Sequence, residues 1–355
     1  MRILAIDTSC DETAAAVTED TKVLSNVVWS QASSHAKFGG VMPSLAQRMH
    51  EERIDWVIEK ALKSAFPRYT LYDILHSKVD AIAVTIGPGL SIALGVGIDR
   101  AKMLAKKYKK PLIAVNHVEA HLLSPLARPN NSQLTINNLQ FPSYGLCVSG
   151  GNTIFVLIEK VGRYKVLAQT QDDALGEALD KGARMLGLGY PGGAILEKMA
   201  HSSRFAPSGQ ARLNPHKLPV PLVGQEKRQI FSYSGLKTSF YRLIQSDPPK
   251  SKQDIYNLAA VYQDVAFRHI ERVISYCIEQ NKFRIEQLLL GGGVAANVEL
   301  RKRLRKLGRK HGFNLFIPYS LKICGDNAAM IGVAASLNLK VVEPDKIDRV
   351  PNLKI

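Results

Sequence analysis

The chain has 355 residues, of which 46% are hydrophobic and 22% are charged, which is enough for a large buried core and about two domains. A membrane span needs about 18 uninterrupted apolar residues, whereas the most apolar stretch, residues 81–98, is broken by glycines and a proline. Lysine and arginine total 47 against 31 acidic residues, a formal charge of +16 that would attract a polyanion such as nucleic acid. A basic surface that serves only solubility, or that suits an alkaline compartment such as the mitochondrial matrix, is the alternative.

The four cysteines, Cys10, Cys147, Cys277 and Cys324, lie far apart in the chain. This spacing fits neither a disulfide framework nor a thiolate zinc site, so we expect a reducing compartment. The chain opens directly on an apolar run, and we expect that a targeting segment was removed or never existed.

The first predicted element is a strand, turn, strand unit. Residues 3–6 are apolar, residues 7–13 are rich in hydroxyl and acidic side chains, and residues 14–17 are apolar again. Residues 80–104 then predict a strand, a Gly-Pro-Gly turn and a helix. Gly95 and Gly97 inside this helix indicate close packing rather than ligand binding.

The sharpest local signal follows a predicted strand at residues 111–115. His117 and His121 have i, i+4 spacing on the next helix, so both imidazoles lie on one face and could share a metal ion. Glu119 points away from that face and has the spacing of a capping box with Asn116. Two core histidines without a metal are the alternative interpretation.

A metal near a helix N-terminus favours an anionic third ligand because the helix dipole repels a cation there. Asp326 is the candidate. It precedes an apolar helical run and would serve equally well as an N-cap, and Asn327 and Cys324 are weaker candidates.

Residues 126–144 are rich in Asn, Ser and Pro and predict a surface connection. The strand, turn, strand pattern then returns, with residues 149–153 as the turn. This repeat predicts a duplicated architecture in which one turn from each half faces a shared cleft. Glycines and hydroxyls in such turns suit a phosphate, although Gly and Ser are also common in ordinary hairpins.

A third glycine cluster, residues 291–293, lies between a predicted buried strand and a helix beginning near Val294. That order can place a helix N-terminus against a nucleotide, but the spacing is neither that of a P-loop nor that of a dinucleotide fingerprint. Two basic clusters, residues 101–110 and 301–312, lie on predicted helices and could contact phosphates or face solvent. The alternation of strands and long helices predicts α/β layering.

Seven motifs together closely resemble the tRNA N6-adenosine threonylcarbamoyltransferase family over nearly the whole chain. They are residues 7–13, HVEAH at 117–121, SGG at 149–151, the segment 172–193, FSYSGLKT at 231–238, GGGVAAN at 291–297 and GDN at 325–327. The resemblance implies an α/β, two-lobed actin/sugar-kinase/Hsp70-like fold with duplicated RNase H-like domains. Its N-terminal lobe would be residues 1–125 completed by 323–345, its C-terminal lobe residues 126–322, and the ligand cleft would lie between them.

The resemblance also implies an acyltransferase that moves threonylcarbamoyl from threonylcarbamoyl-AMP to the N6 amine of the adenosine 3′ to the anticodon, in tRNAs reading codons that start with A. AMP is released. His117, His121 and Asp326 would bind one iron or zinc ion. The adenylate would lie against Cys147, Val148, Ser149, Gly150, Gly151, Glu177, Asp180, Gly193 and Asn297. The sequence identifies no catalytic base, and a metal can polarise the carbonyl without a protein nucleophile.

The sequence departs from the bacterial pattern of this family at Ala120 and Asn152, where Gly and His are common, and it carries an Asn-rich insertion after Arg128. These changes leave the metal and main nucleotide positions intact and bear on contacts to the acyl group. With the basic charge, the insertion resembles the mitochondrial branch, so we expect the mitochondrial matrix, with a bacterial cytoplasm as the alternative.

The expected partners are tRNA, a separate enzyme that supplies threonylcarbamoyl-AMP, and a second copy in a homodimer, with no membrane. Arg301, Arg305 and Arg309 follow i, i+4 spacing on the second basic helix and form the candidate tRNA contact. A small-molecule kinase of the same superfold, or a non-catalytic actin-like or Hsp70-like nucleotide-binding module, is the alternative function.

Overall fold

A computed structural model describes residues 1–131, 140–203, 218–281 and 284–355. Its strands are β1 (Arg2–Asp7), β2 (Glu12–Glu19), β3 (Lys22–Ser30), β4 (Ala81–Gly87), β5 (Leu112–Asn116), β6 (Arg128–Pro129), β7 (Ser143–Val148), β8 (Thr153–Lys160), β9 (Arg163–Thr170), β10 (Ile230–Phe231), β11 (Gln287–Gly291), β12 (Asn314–Phe316) and β13 (Val341–Val342). Its α-helices are α1 (Ala32–Ala36), α2 (Pro43–Ala65), α3 (Leu71–Asp73), α4 (Ser91–Tyr108), α5 (His117–Leu123), α6 (Leu175–Met185), α7 (Gly193–His201), α8 (Ser234–Ser246), α9 (Lys252–Glu279), α10 (Val298–His311) and α11 (Ala328–Leu337). Much of the predicted surface connection at residues 126–144 lies outside the described residues.

The strands form two sheets with the same central order. The first sheet runs β13-β5-β4-β1-β2-β3-β6, and the second runs β10-β9-β8-β7-β11-β12. In each, an antiparallel hairpin, β1–β2 or β7–β8, is continued on one side by two parallel strands. The repeated order confirms the predicted duplication and the α/β class.

The packing of strand β1 on both faces explains why its sequence is continuously apolar. Ile3 and Ala5 pack on one face of the sheet in a core that includes α11, whereas Leu4 and Ile6 pack on the other face against α2 and α4. Because side chains alternate along a strand, a strand covered on both faces needs apolar residues at every position.

Helix α5, which carries both histidines, lies between the two sheets. It packs against α11 and against β7 and β11 of the second sheet, while α11 packs on β1 and β2 of the first. Two short strands extend the first sheet, since β13 pairs with β5 and β6 pairs with β3. The exact lobe limits given above stay a prediction.

None of the helices in the described parts of the chain is both long enough and apolar enough to cross a membrane.

Candidate active site between the two sheets

The first polar turn, which follows β1, is fixed by helix α4. The Thr8 hydroxyl donates to the carbonyl of Ala93 (2.8 Å) and accepts the Gly97 N–H (3.1 Å). A Cβ at Gly97 would collide with that hydroxyl. The predicted packing role of Gly97 is therefore confirmed, and its neighbour is this turn rather than another helix.

The second polar turn has the corresponding place in the second sheet. The Ser149 hydroxyl accepts the Asn152 N–H (3.0 Å), and the Ser149 carbonyl accepts the Gly176 N–H (3.1 Å), which sets the turn against the first turn of α6. A Cβ at Gly150 or Gly151 would meet no atom within 4 Å. Two unobstructed glycines beside a helix N-terminus leave backbone N–H groups accessible to an anion.

The third glycine cluster packs more tightly than a ligand loop. A Cβ at Gly291 would overlap the carbonyl of His121, and Gly292, at φ +94°, lies directly against the Val148 backbone. Of the three, only Gly293 lines the cavity between the sheets. Gly291 and Gly292 thus bring the histidine helix and the second polar turn close together.

The helix after this cluster begins later than predicted. Residues 293–296 form a 3₁₀ turn, and α10 starts at Val298 with Asn297 as its N-cap. The Asn297 side chain accepts the Leu300 N–H (3.0 Å) and donates to Gln263 (2.9 Å). The helical pattern predicted near Val294 therefore begins as a 3₁₀ turn, and the Asn297 cap starts the α-helix four residues further on.

His117, His121 and Asp326 come together although they lie far apart in sequence. The Nε2 atoms of His117 and His121 are 3.5 Å and 3.1 Å from the same oxygen, Oδ1 of Asp326. One ligand atom from each residue lies within 4.8 Å of the other two. Two imidazoles and a carboxylate are donors that suit zinc or iron, and three protein ligands leave a position for substrate.

Local capping explains why these side chains are available. The Asn116 side chain accepts the N–H groups of Val118 (2.9 Å) and Glu119 (3.1 Å) and so starts α5. Asn327, rather than Asp326, caps α11 by accepting the Met330 N–H (3.1 Å). The N-cap interpretation of Asp326 is therefore wrong, and its carboxylate turns to the histidines.

Glu119 does not complete the predicted capping box. Its Oε1 accepts hydrogen bonds from the Tyr164 hydroxyl (2.7 Å) and the Asn338 amide (2.8 Å), and the residue is buried. The partner residues come from β9 and from the end of α11. Glu119 does point away from the metal-facing side of α5, as predicted. Its hydrogen bonds connect α5 to β9 and to the end of α11.

The electrostatics of the three residues favour a cation. Burial opposes charge on His117, but Asp326, and then Asp7, raise its pKa to about 9. Burial and the neighbouring His117 lower the pKa of His121. Burial would raise the pKa of Asp326, but the two imidazoles hold it well below its usual range. A metal ion would take the place of the proton on His117, and its binding would release that proton.

A cavity of about 1200 Å³ lies between the sheets and contains groups from both polar turns. Its walls include residues 9–12 of the first turn, residues 149–152 of the second, and His117 and Asp326. The predicted shared cleft is thus present, with the histidine-carboxylate group on one wall.

Comparison with known proteins decides the family. The family model for tRNA N6-adenosine threonylcarbamoyltransferase (TsaD) matches residues 22–333. A protein of that description from Brucella anthropi is 42% identical over 364 residues, covering 99% of this chain and 94% of the relative. Another from Chelativorans sp. is 46% identical, covering 94% and 88%. The chain belongs to the tRNA N6-adenosine threonylcarbamoyltransferase family. It is a transferase of tRNA modification, and the resemblance inferred from its motifs is confirmed.

The fold agrees with this membership. The activator of 2-hydroxyisocaproyl-CoA dehydratase from Clostridium difficile, solved with bound ADPNP, aligns with a TM-score of 0.50 at 12% identity and covers 95% of this chain and 94% of its own. At that identity the likeness concerns the fold alone. It supports the predicted two-lobed fold and carries no information on the reaction.

The nucleotide residues expected from the family fall into two groups. Ser149, Gly150, Gly151, Glu177 and Asp180 line the cavity. Cys147, Val148, Gly193 and Asn297 lie behind it: the first two are buried in β7, Gly193 begins α7 and Asn297 caps α10. The second group can shape the site through the backbone without presenting a side chain to it.

Asp180 holds one wall of the cavity. Its Oδ1 accepts the N–H groups of Gly192 (2.8 Å) and Gly193 (2.7 Å) at the start of α7. Burial raises the pKa of Asp180, although these two N–H groups act in the opposite direction. Glu177 is paired with Lys181 at 2.7 Å.

The three arginines of the second basic cluster do not form one free stripe. Arg305 and Arg309 are exposed and make no ion pair with a described residue. Arg301 is half-buried, and its guanidinium donates to the Ala295 carbonyl and to the Cys324 sulfur (3.4 Å). Arg303 between them is buried among carboxylates.

Sequence reasoning missed several parts of the cavity wall, among them Pro88 and Gly89 of the Gly-Pro-Gly turn and the segment 351–355. Residues 351–355 line the cavity, held by hydrogen bonds from the Gly89 N–H to the Pro351 carbonyl (3.1 Å) and from the Asn116 amide to the Lys354 carbonyl (3.1 Å). These bonds involve backbone groups, so the side chains of residues 351–355 carry no signal that would reveal them.

Proposed function

We propose that this chain transfers threonylcarbamoyl from threonylcarbamoyl-AMP to the N6 amine of the adenosine 3′ to the anticodon, in tRNAs that read codons starting with A. Family membership supports the reaction class. The observation that carries the assignment to a site is that His117 and Asp326, which form one cluster with His121, share the walls of one cavity with the Ser149–Gly151 glycine turn.

The adenylate would occupy the part of the cavity beside the second polar turn. There Gly150 and Gly151 present backbone without side-chain obstruction, next to the first turn of α6 and the Asp180 wall. Cys147, Val148, Gly193 and Asn297 would contribute by holding that backbone in place.

One iron or zinc ion would be held by His117, His121 and Asp326. Their donor atoms and mutual distances, with both Nε2 atoms directed at the same Asp326 oxygen, fit such an ion. When bound, it would supply a Lewis acid for the carbamoyl carbonyl.

The chain's own contribution is binding and alignment. The N6 amine attacks the carbamoyl carbon, a C–N bond forms, the bond from that carbon to the phosphate oxygen breaks, and AMP leaves with the electron pair. The amine loses one proton, for which we assign no protein base. A cavity that holds the acyl donor and the RNA amine together would supply much of the rate by proximity.

The exposed part of the second basic cluster would contact the tRNA backbone. Arg305 and Arg309 lie one turn apart on α10, whose N-terminal cap Asn297 lies next to the cavity-lining Gly293 segment. Phosphate contacts would position the RNA without reading its bases. Arg301 would contribute less because its guanidinium already has partners.

The decisive test is incubation of the purified chain with threonylcarbamoyl-AMP and unmodified tRNA, followed by mass spectrometry of the nucleosides. Threonylcarbamoyladenosine in the product supports the proposal. Phosphate transfer from ATP to a small molecule would instead support the kinase, and nucleotide binding without any covalent product would support the binding module.

The metal assignment is tested separately. His121→Ala should lose bound metal by elemental analysis and most activity, whereas His76→Ala, which changes an exposed histidine, should keep both. Equal metal content in the two variants would contradict the assignment.

The RNA path is tested with the double variant Arg305→Ala/Arg309→Ala. It should weaken tRNA binding and reduce the slope of log affinity against log salt by up to about 2. Adenylate affinity should not change. The matched control is Lys106→Ala/Lys107→Ala in the first basic cluster. A change of slope in the control alone would place the RNA on α4 instead.

A separate enzyme that supplies threonylcarbamoyl-AMP and a second copy of this chain are also proposed partners. For location we retain the mitochondrial matrix as the proposal from charge and the insertion, with a bacterial cytoplasm as the alternative that the bacterial relatives favour. Imaging of the tagged full-length precursor in its own host would distinguish them.

A further inference from the structure

Two buried polar atoms beside the histidine-carboxylate group face each other without a hydrogen bond. The Oδ2 atom of Asp7 and the Nδ1 atom of His117 are 3.8 Å apart. Neither has a hydrogen-bond partner among the described residues, and both side chains are buried. Buried polar atoms are nearly always paired, so an unpaired acceptor facing an unpaired ring nitrogen indicates a contact that is almost formed. Shortening the gap by about 1 Å would bring it to hydrogen-bond length.

The two nitrogens of His117 face opposite groups. Nε2 points to Asp326, as does Nε2 of His121. Nε2 is therefore the ligand atom for an ion bound among the three residues, and Nδ1 must carry the ring proton in the neutral imidazole. Metal-binding histidines generally donate that other N–H to a carboxylate or carbonyl, which fixes the ring orientation.

Asp7 is placed for this task, with the side chains of Thr85 and Ser9 beside its carboxyl. It is the last residue of β1, and its Oδ1 accepts the Ser9 N–H (3.2 Å), which leaves Oδ2 directed at His117. Asp7 does not line the cavity, although residues 9–12 of the same turn do. It is thus separated from substrate by the histidine itself.

We propose that Asp7 is a positioning residue for the metal site, accepting the Nδ1–H of His117 so that Nε2 is presented to the ion. The inference rests on the proposed function, because it requires metal binding at His117, His121 and Asp326. It also makes the two histidines unequal, since the Nδ1 atom of His121 has no partner among the described residues. The first strand would thereby contribute to a site whose ligands come from α5 and the start of α11.

The test measures zinc affinity of the full chain by competition with a chromophoric chelator, for wild type, Asp7→Asn, Asp7→Ala and Thr85→Val. Asp7→Ala should lose about 10- to 100-fold in affinity. Asp7→Asn keeps an oxygen that can accept the Nδ1–H and should lie between Asp7→Ala and wild type. Burial raises the pKa of Asp7, and Thr85, which lies beside its carboxyl on β4, acts in the opposite direction. Thr85→Val, which keeps the carboxylate, should therefore lose less zinc affinity than Asp7→Ala.

The melting temperature of the metal-free protein separates positioning from a general structural role. Asp7→Ala also removes the acceptor of the Ser9 N–H, so its metal-free form should melt lower than wild type, whereas Asp7→Asn keeps that acceptor and should melt near wild type while losing zinc affinity. Unchanged zinc affinity in Asp7→Ala, with or without a lower metal-free melting temperature, would overturn the proposal. If Asp7→Ala does not fold, the isosteric Asp7→Asn variant decides by the same criterion.

Failure of the underlying site gives a different result. If His121→Ala binds zinc as tightly as wild type, no metal is held at the three residues, and the metal site and the role of Asp7 are overturned together. If His121→Ala loses zinc and Asp7→Ala does not, only the role of Asp7 is overturned.

Discussion

Replacing Arg303 tests whether the basic helix α10 is a uniform RNA-binding surface. Arg303 is only 4% exposed in its side chain and pairs with three carboxylates: Glu299 (2.8 Å), Glu271 (3.2 Å) and Asp264. Arg303→Met keeps much of the aliphatic volume but removes the cation that these carboxylates share, although Asp264 keeps its pair with Arg268 (2.7 Å). Breaking a buried ion pair by removing one partner costs about 3–5 kcal/mol.

The free energy of unfolding of Arg303→Met, measured by urea denaturation with circular dichroism, should therefore fall by about 3–5 kcal/mol. The matched control is Arg305→Met, two residues away and exposed, which should change the stability by no more than about 0.5 kcal/mol. The tRNA affinities should show the opposite order: Arg305→Met should weaken binding, and folded Arg303→Met should not.

A loss below about 1 kcal/mol in Arg303→Met would refute this reasoning. It would mean that water or protonation compensates the charge of the three carboxylates once the arginine is gone. A loss of tRNA affinity in Arg303→Met with unchanged stability would instead indicate that Arg303 contacts the RNA.

The remaining predictions concern the cavity wall, the histidine helix and acid stability. Asp180→Ala should raise the dissociation constant of the adenylate about tenfold, because the start of α7 loses its charged acceptor; calorimetry that gives wild-type affinity would contradict this, and Asp180→Asn is the control that keeps an acceptor. Glu119→Leu should lower the free energy of unfolding by about 2–4 kcal/mol, because the Tyr164 O–H and the Asn338 amide lose their shared acceptor. Tyr164→Phe, which removes one of these two bonds and the acceptor of the Gly162 N–H (3.3 Å), should cost less; equal urea midpoints for all three proteins would count against the network. Burial lowers the pKa of His269 from 6.5 to about 4, so as the pH falls the unfolded chain is protonated at this histidine before the folded chain is. The stability due to neutral His269 is therefore complete above pH 6.5, and about 2 kcal/mol of it should be lost at pH 5. His269→Gln should show a correspondingly smaller loss of stability between pH 7 and pH 5 in urea titrations, and an unchanged loss would show that His269 is not the group responsible.

The sequence by itself determined the repeated strand and turn units, because their signals are local. An uninterrupted apolar run such as residues 3–6 predicts a strand buried on both faces, and i, i+4 spacing places His117 and His121 on one face of any helix. Family membership was equally accessible, since it depends on the order and spacing of motifs along the whole chain.

The tertiary structure decided which polar side chains are engaged in hydrogen bonds or ion pairs within the protein. From sequence, Asp326 is a possible cap, whereas the structure gives the cap to Asn327 and turns Asp326 to His121, 205 residues away in the chain. Arg301, Arg303 and Arg305 are similar in sequence, yet contacts with distant segments leave Arg301 half-buried and Arg303 buried, whereas Arg305 is exposed. Glu119 likewise has the spacing of a capping residue but is paired with β9 and the end of α11. Local spacing sets which groups can meet within one element, whereas the pairing of a buried charge depends on whichever elements pack around it, and that information lies in the fold.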